Sequence, residues 1–178
     1  MAKLLQIAQL GHPILRKKAL KINKPISSDI KNLINDMLAT LKDSSGVGLA
    51  APQIYQSKRL FILSSSPSPR YPDAPKMKPT PIINPKITKY SGKKKKDWEG
   101  CLSIPGIRAQ VPRYPSIKVE YMTINSRKKT KMFKDFVARI FQHEYDHLEG
   151  MVFLDRLETV KDIITEKEYQ KLIAKDKK

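Results

Sequence analysis

The stretch from Lys134 to Gly150, KDFVARIFQHEYDHLEG, constrains the fold more than any other part of the chain. Its apolar residues recur every three to four positions on two neighbouring stripes, which predicts a helix buried on more than one face. Asp135 is predicted to cap the N-terminus, and Gly150 suits the left-handed conformation that ends a helix. The rest of the chain is therefore expected to pack around this helix.

The same stretch contains His143-Glu144-Tyr145-Asp146-His147, a match to the pattern H-E-x-x-H. Residues i and i+4 lie one turn apart on a helix, so the two imidazoles can bind one metal ion. Glu144, beside the first imidazole, can then reach a water on the ion and act as a general base. A solvated polar helix face is the alternative. The apolar surroundings disfavour it, because buried imidazoles and carboxylates are costly unless paired or metal-bound.

The composition indicates one globular domain over residues 1–178. Apolar residues make up 40% of the chain, and no apolar run is long enough to cross a bilayer. The single cysteine excludes a disulfide framework within the chain and favours a reducing compartment. Residues 1–28 lack acidic side chains but contain one Arg and two Ser, unlike an Arg- and Ser-rich transit segment. We therefore expect a cytoplasmic protein that makes no membrane contact.

The net charge is strongly positive, with 35 Lys and Arg against 17 Asp and Glu, which gives +18. A generally Lys-rich surface explains this charge, and we favour that explanation. The alternative is attraction to a polyanion, such as nucleic acid or a ribosome surface. No zinc-finger, helix-turn-helix or RNA-binding sheet signature accompanies the charge, so no sequence-specific nucleic-acid partner is expected.

Outside the central stretch, apolar segments alternate with turn-rich ones. Helical spacing predicts an amphipathic helix over Asp29–Lys42, capped by Ser27 or Ser28, and a short helix from Thr165 to Ile173. Short apolar segments predict strands over Arg59–Leu63, Ile82–Thr88 and Met151–Leu154. A cluster of Pro predicts a loop over Ser64–Pro81. Because Pro85 cannot donate a ladder hydrogen bond, the strand over Ile82–Thr88 is expected at an edge or a bulge.

Two further segments carry possible chemistry. In the first, Gly46 and Gly48 precede small residues and Gln53, which suggests backbone that another group approaches closely, although a tight turn would also explain it. In the second, Cys101 is the only thiol that could complete a site with two histidines. A lone cysteine is otherwise most often a small buried hydrophobic residue.

Together the segments GVGLAAPQ (46–53), EGCLS (99–103) and QHEYDHL (142–148) resemble, in this order, the three signature motifs of the peptide deformylases. The resemblance implies an enzyme that removes the N-formyl group from the initiator formyl-methionine of newly synthesised polypeptides. It also implies one divalent metal ion bound by Cys101, His143 and His147. Fe(II) is the expected native ion, and Zn(II), Ni(II) or Co(II) can occupy such a site in preparations.

The resemblance also implies roles for residues around the metal. Glu144 would be the general base and acid, while the Gln53 side-chain amide and the Leu102 backbone N–H would stabilise the oxyanion. The residues expected to bind the substrate backbone or its methionine side chain are Gly46, Val47, Gly48, Glu99, Leu102, Arg108 and Ile140. For Arg108, an ordinary surface position is nearly as good an explanation. Gln142 is expected to be structural, and Asp146 to pair with an arginine such as Arg113.

The fold that the resemblance implies is α+β, with antiparallel sheets packed around the buried helix that carries H-E-x-x-H. A zinc endopeptidase is a second hypothesis, since it shares that pattern, but here an upstream Cys replaces the usual downstream His or Glu ligand. A catalytically inactive binding module attached to RNA through the positive charge is a third. It is disfavoured because Gln53, Cys101, Glu144 and both histidines are all present.

Overall fold

The computed structural model describes residues 2–23, 26–68 and 71–175. The helices are α1 (Ser28–Asp43), α2 (Asp135–Leu148) and α3 (Glu166–Lys175), and the strands are β1 (Gly48–Ala50), β2 (Leu60–Ser65), β3 (Met77–Ser91), β4 (Lys95–Cys101), β5 (Ile104–Arg113), β6 (Ser116–Met122), β7 (Lys128–Lys134) and β8 (Ile163–Thr165). One sheet has the order β1-β2-β3-β6-β7, the other the order β4-β5-β8, and neighbouring strands within both sheets are antiparallel. The predicted α+β class is confirmed.

The first sheet is covered by a helix on each face where β2 passes between α1 and α2. Phe61 belongs to the apolar cluster that includes Phe141 of α2, and the two rings meet edge to face with centroids 5.0 Å apart. Leu60 and Ile62 belong to the cluster that includes Ile34 of α1. Because successive strand residues point to opposite faces, β2 is buried on both sides, as a continuous apolar run requires.

Helix α2 is buried as predicted, with residues from Val137 to Leu148 largely inaccessible to solvent. Gly150 has φ +76°, which confirms the predicted helix end. The predicted N-cap is wrong, since Asp135 is the first helical residue, with φ +48°, and Lys134 precedes it. The reason is that β7 leads directly into α2, so no loop residue is left to cap the helix.

Several local predictions are confirmed. Helix α1 is capped by Ser27, whose hydroxyl accepts a hydrogen bond from the Ile30 N–H at 3.3 Å. The register between β3 and β6 shifts between Ile83 and Lys86, which is the predicted bulge at Pro85. Strand β3 nevertheless pairs on both sides, so Pro85 is accommodated by the bulge and not by an edge position.

Other predictions are wrong. The expected loop Ser64–Pro81 is shorter, because β2 runs to Ser65 and β3 begins at Met77. The predicted strand Met151–Leu154 is absent, and a 3-10 helix over Phe153–Arg156 takes up its second half. Asp155 caps this helix by accepting a hydrogen bond from the Val152 N–H at 2.8 Å. Within the described residues, no helix has both the length and the apolar character needed to span a membrane.

Candidate metal centre

Three potential metal ligands converge from two elements. Cys101 ends β4, and His143 and His147 lie one turn apart on α2. The Cys101 thiol and the ligand nitrogens of the two histidines all lie within 4.8 Å of one another, and Cys101 Sγ is 3.3 Å from His147 Nε2. The structure therefore brings together the three residues that the resemblance named.

This donor set fits a divalent transition metal. One thiolate and two imidazoles suit Zn(II), Fe(II), Co(II) or Ni(II), and three protein ligands leave a further coordination position open, as in catalytic sites. Beside them, the Glu144 Oε2 atom is buried and has no hydrogen-bond partner among the described residues. A buried carboxylate oxygen without a partner next to such a cluster is the arrangement expected where water and substrate bind.

Glu99 holds the first histidine in place. Its Oε2 atom is 2.9 Å from His143 Nδ1, and its Oε1 atom accepts hydrogen bonds from Arg113 Nε and Arg139 Nη1, both at 2.9 Å. Burial alone would raise the pKa of Glu99, but Arg113 and His143 hold that pKa well below its ordinary value. An ionised Glu99 accepts a hydrogen bond from the Nδ1–H group of His143, which leaves Nε2 available for the metal.

A second buried carboxylate extends these contacts toward the surface. Arg113, with 4% of its side chain exposed, donates through Nη1 to Asp146 Oδ2 at 2.5 Å. Arg156, at 43% exposure, donates to Asp146 Oδ1 at 2.6 Å. The predicted pairing of Asp146 with Arg113 is confirmed. Gln142 bonds the backbone of Tyr114 through both ends of its amide, at 3.1 and 2.8 Å, as expected of a structural residue.

The Gln53 amide is fixed at the centre. Its Oε1 atom accepts a hydrogen bond from the Ala50 N–H at 2.8 Å, while Nε2 lies 3.4 Å from Cys101 Sγ and 3.2 Å from Ser103 Oγ. The side chain is 2% exposed and lies in a 3-10 helix that follows β1 directly. The donor end of the amide therefore faces the ligand cluster.

Glu144 lies against the backbone of Gly48. A Cβ atom on Gly48 would be 2.2 Å from Glu144 Oε1, so no side chain fits there while the carboxylate keeps its place. Glu144 is 3% exposed, and burial raises its pKa to about 7, although His143 acts in the opposite direction. The sequence suggested close approach at the two glycines, and at Gly48 the approaching group is the Glu144 carboxylate.

A cavity of about 240 Å³ lies beside the ligand cluster. Gln53, Cys101, His143 and Glu144 line this cavity. So do all the residues that were expected to bind the substrate, which are Gly46, Val47, Gly48, Glu99, Leu102, Arg108 and Ile140. For Glu99 the expectation was incomplete, because its carboxylate is engaged with His143 and two arginines. Arg108 is not an ordinary surface residue, since it is only 7% exposed.

Several residues of the cavity were not anticipated: Tyr71, Trp98, Phe136, Arg139 and Glu166. Phe136 shares a helical stripe with Ile140 and His143, so its spacing could have indicated it. Tyr71 and Glu166 come from distant segments, and no local pattern connects them with the motifs.

The polypeptide deformylase family matches this chain over residues 4–162. Peptide deformylase 2 of a Nostoc species is 51% identical, over 99% of this chain and 98% of that protein. Peptide deformylase 2 of Shewanella oneidensis is 40% identical, over 86% of this chain and 84% of that protein. The crystal structure of a Met-Ala-Ser-bound class I type b peptide deformylase from Acinetobacter baumannii superposes with a TM-score of 0.86 at 42% identity, covering 88% of this chain and 100% of that one. The chain belongs to the polypeptide deformylase family of enzymes.

Proposed function

We propose that this protein removes the N-formyl group from the initiator formyl-methionine of nascent polypeptides by metal-assisted hydrolysis of the formyl amide. The observation that carries the proposal is the cluster of Cys101, His143 and His147 beside one cavity, which the buried Glu144 carboxylate and the Gln53 amide also line. The similar Acinetobacter baumannii enzyme was crystallised with Met-Ala-Ser, the peptide that deformylation of formyl-Met-Ala-Ser would leave.

Cys101, His143 and His147 would hold the metal ion, with Fe(II) as the proposed native ion and Zn(II), Ni(II) or Co(II) as substitutes. When bound, such an ion polarises a carbonyl oxygen and makes water more acidic, which gives a nucleophile at neutral pH.

Glu144 performs the proton transfers. Its carboxylate takes a proton from the attacking water and later gives it to the nitrogen of the departing peptide, so that the formyl C–N bond breaks and formate and a free amine form. A pKa of about 7 suits a group that must both accept and donate a proton near neutral pH.

The Gln53 Nε2 group and the Leu102 backbone N–H donate hydrogen bonds to the formyl oxygen as it gains negative charge. Removing one such donor typically lowers the rate by about 100- to 1,000-fold. Because Ala50 fixes Oε1 of Gln53, the donor end is oriented before the substrate arrives.

The substrate backbone extends along Gly46, Val47 and Gly48. Strand β1, which begins at Gly48, is one of the two edge strands of the five-stranded sheet, and this supports the placement because a sheet edge can accept an extended peptide. The methionine side chain then enters the cavity beside Val47 and Ile140, while Arg108 contacts the backbone further along. A cytoplasmic location and contact with ribosomes through the basic surface stay predictions.

The test is formate release from formyl-Met-Ala-Ser by anaerobically purified protein of known metal content. Glu144→Gln should retain the metal and lose at least about 100-fold in kcat. Glu120→Gln, a neutralisation at an exposed residue of β6, is the matched control and should match the wild type. Cleavage of an internal peptide bond without formate release, by metal-replete protein, would refute the proposal and favour the endopeptidase hypothesis.

A further inference from the structure

The C-terminal segment reaches back to the rim of the cavity. Strand β8 pairs with β5, so that Ile164 lies opposite Arg108 and Thr165 opposite Ile107. Helix α3 follows at once, started by Thr165, whose hydroxyl accepts a hydrogen bond from the Glu168 N–H at 3.3 Å. The family match ends at residue 162, so β8 and α3 lie outside the region that this match defines.

Helix α3 fixes the side chain of Arg108 from two directions. The Glu166 carboxylate pairs with Arg108 Nε through Oε2, and its Oε1 atom accepts a hydrogen bond from Gln170 Nε2 at 2.7 Å. The Tyr169 ring lies under the guanidinium, with its centroid 5.3 Å from Cζ. Both carboxylate oxygens of Glu166 are thus held, which gives the ion pair a defined geometry.

The guanidinium is confined on a further side by Gly100. A Cβ atom at Gly100 would be only 2.5 Å from Arg108 Nη1, so the guanidinium lies directly against the backbone next to Cys101. Because Glu166 occupies Nε, a substrate would meet the terminal nitrogens of Arg108, on the side of the guanidinium where Tyr71 also interacts with it. Arg108 and Glu166 both line the cavity.

Stability alone does not explain this arrangement. The Glu166 side chain is 34% exposed, and ion pairs with a solvent-accessible partner contribute little to folding stability. Tyr169, which is 7% exposed and 5.5 Å from the Trp98 ring, already anchors α3 without any charge. A carboxylate that accepts a hydrogen bond from Nε, however, determines which edge of the planar guanidinium faces the cavity.

We propose that Glu166 and Tyr169 are positioning residues that orient Arg108 toward a backbone carbonyl of the substrate beyond the methionine. The inference rests on the proposed function and deepens it. It assigns to α3 a part in binding the substrate residues that follow the methionine, while the reaction at the formyl group stays with the metal centre and Glu144.

The experiment compares formyl-Met-Ala-Ser with formyl-methionine amide, which ends before the downstream residues. Glu166→Gln should raise KM for the tripeptide about three- to tenfold, as expected for one weakened charge-assisted hydrogen bond, with kcat within about twofold. KM for the amide should change less than about twofold. Tyr169→Leu should show the same split between substrates. Glu168→Gln, on the same helix and paired with Lys171, is the matched control and should match the wild type on both substrates.

The outcomes separate the two proposals. Wild-type protein that releases formate from both substrates, with Glu166→Gln unchanged on both, would refute this inference alone. The same holds if Glu166→Gln changes KM for the two substrates equally while lowering Tm, since that pattern indicates only packing. No formate from metal-replete wild type would refute the proposed function and, with it, the inference.

Discussion

Adding one methyl group at Gly48 should disable the enzyme through Glu144. In Gly48→Ala the new Cβ would lie 2.2, 2.6 and 2.7 Å from Oε1, Cδ and Cγ of Glu144. Carbon atoms pack at about 3.5–4.0 Å, so the carboxylate must move by roughly 1 Å or more. A displacement of that size in a catalytic group can lower the rate by about 100-fold.

The same substitution should also destabilise the protein, but less severely. Overpacking a buried site typically costs about 1–3 kcal/mol. Glu144 is 3% exposed and held on α2, so it cannot escape the methyl group by turning into solvent. We therefore expect a folded protein that binds metal and has lost most of its activity.

The assay combines formate release, metal content and urea unfolding. Gly46→Ala is the comparison, because its Cβ would meet the end of the Leu41 side chain at 2.8 Å and Ser44 Oγ at 3.3 Å, not the carboxylate. Its loss in kcat should be at least about tenfold smaller than that of Gly48→Ala. Equal kcat for the two variants, both folded and metal-replete, would show that the position of Glu144 is not what Gly48 protects.

Two further predictions concern the buried charges behind the metal centre. Arg113→Met leaves Glu99 and Asp146 without their shared buried partner and should destabilise the protein by about 3–5 kcal/mol. Arg156 is a half-exposed partner of Asp146, so Arg156→Ala should lower the free energy of unfolding by about 1 kcal/mol or less. Similar urea midpoints for the two variants would contradict this reasoning. Glu99→Gln should weaken metal affinity about 10- to 100-fold, measured by competition with a chromogenic chelator, and unchanged affinity would show that Glu99 does not orient His143.

Much of the fold near α2 was predictable because its signals are local. Helical spacing on two stripes determined that α2 is buried, and the interval between His143 and His147 placed both imidazoles on one side of it. The cap at Ser27 and the bulge near Pro85 likewise follow from the chemistry of neighbouring residues. By contrast, the apolar run at Met151–Leu154 suits either strand or buried turn, and only packing decided between them.

The second sheet was not predicted, and neither was the environment of Glu99. Strand β4 is rich in Lys and β8 is only three residues long, so neither has a clear alternating pattern. The partners of Glu99 lie 14 residues away on β5 and 40 residues away on α2, and no motif records that Arg113 and Arg139 would meet it.

The sequence by itself therefore determined the chemistry available: one thiol, two imidazoles one helical turn apart, a carboxylate beside them and an amide in a glycine-containing segment. Tertiary structure alone decided how that chemistry is controlled, by placing Gly48 against Glu144, Glu99 against His143 and Glu166 against Arg108. The physical reason is that helical periodicity depends on residues a few positions apart. Contacts between distant segments depend on which strands pair and which surfaces are buried when the whole chain folds.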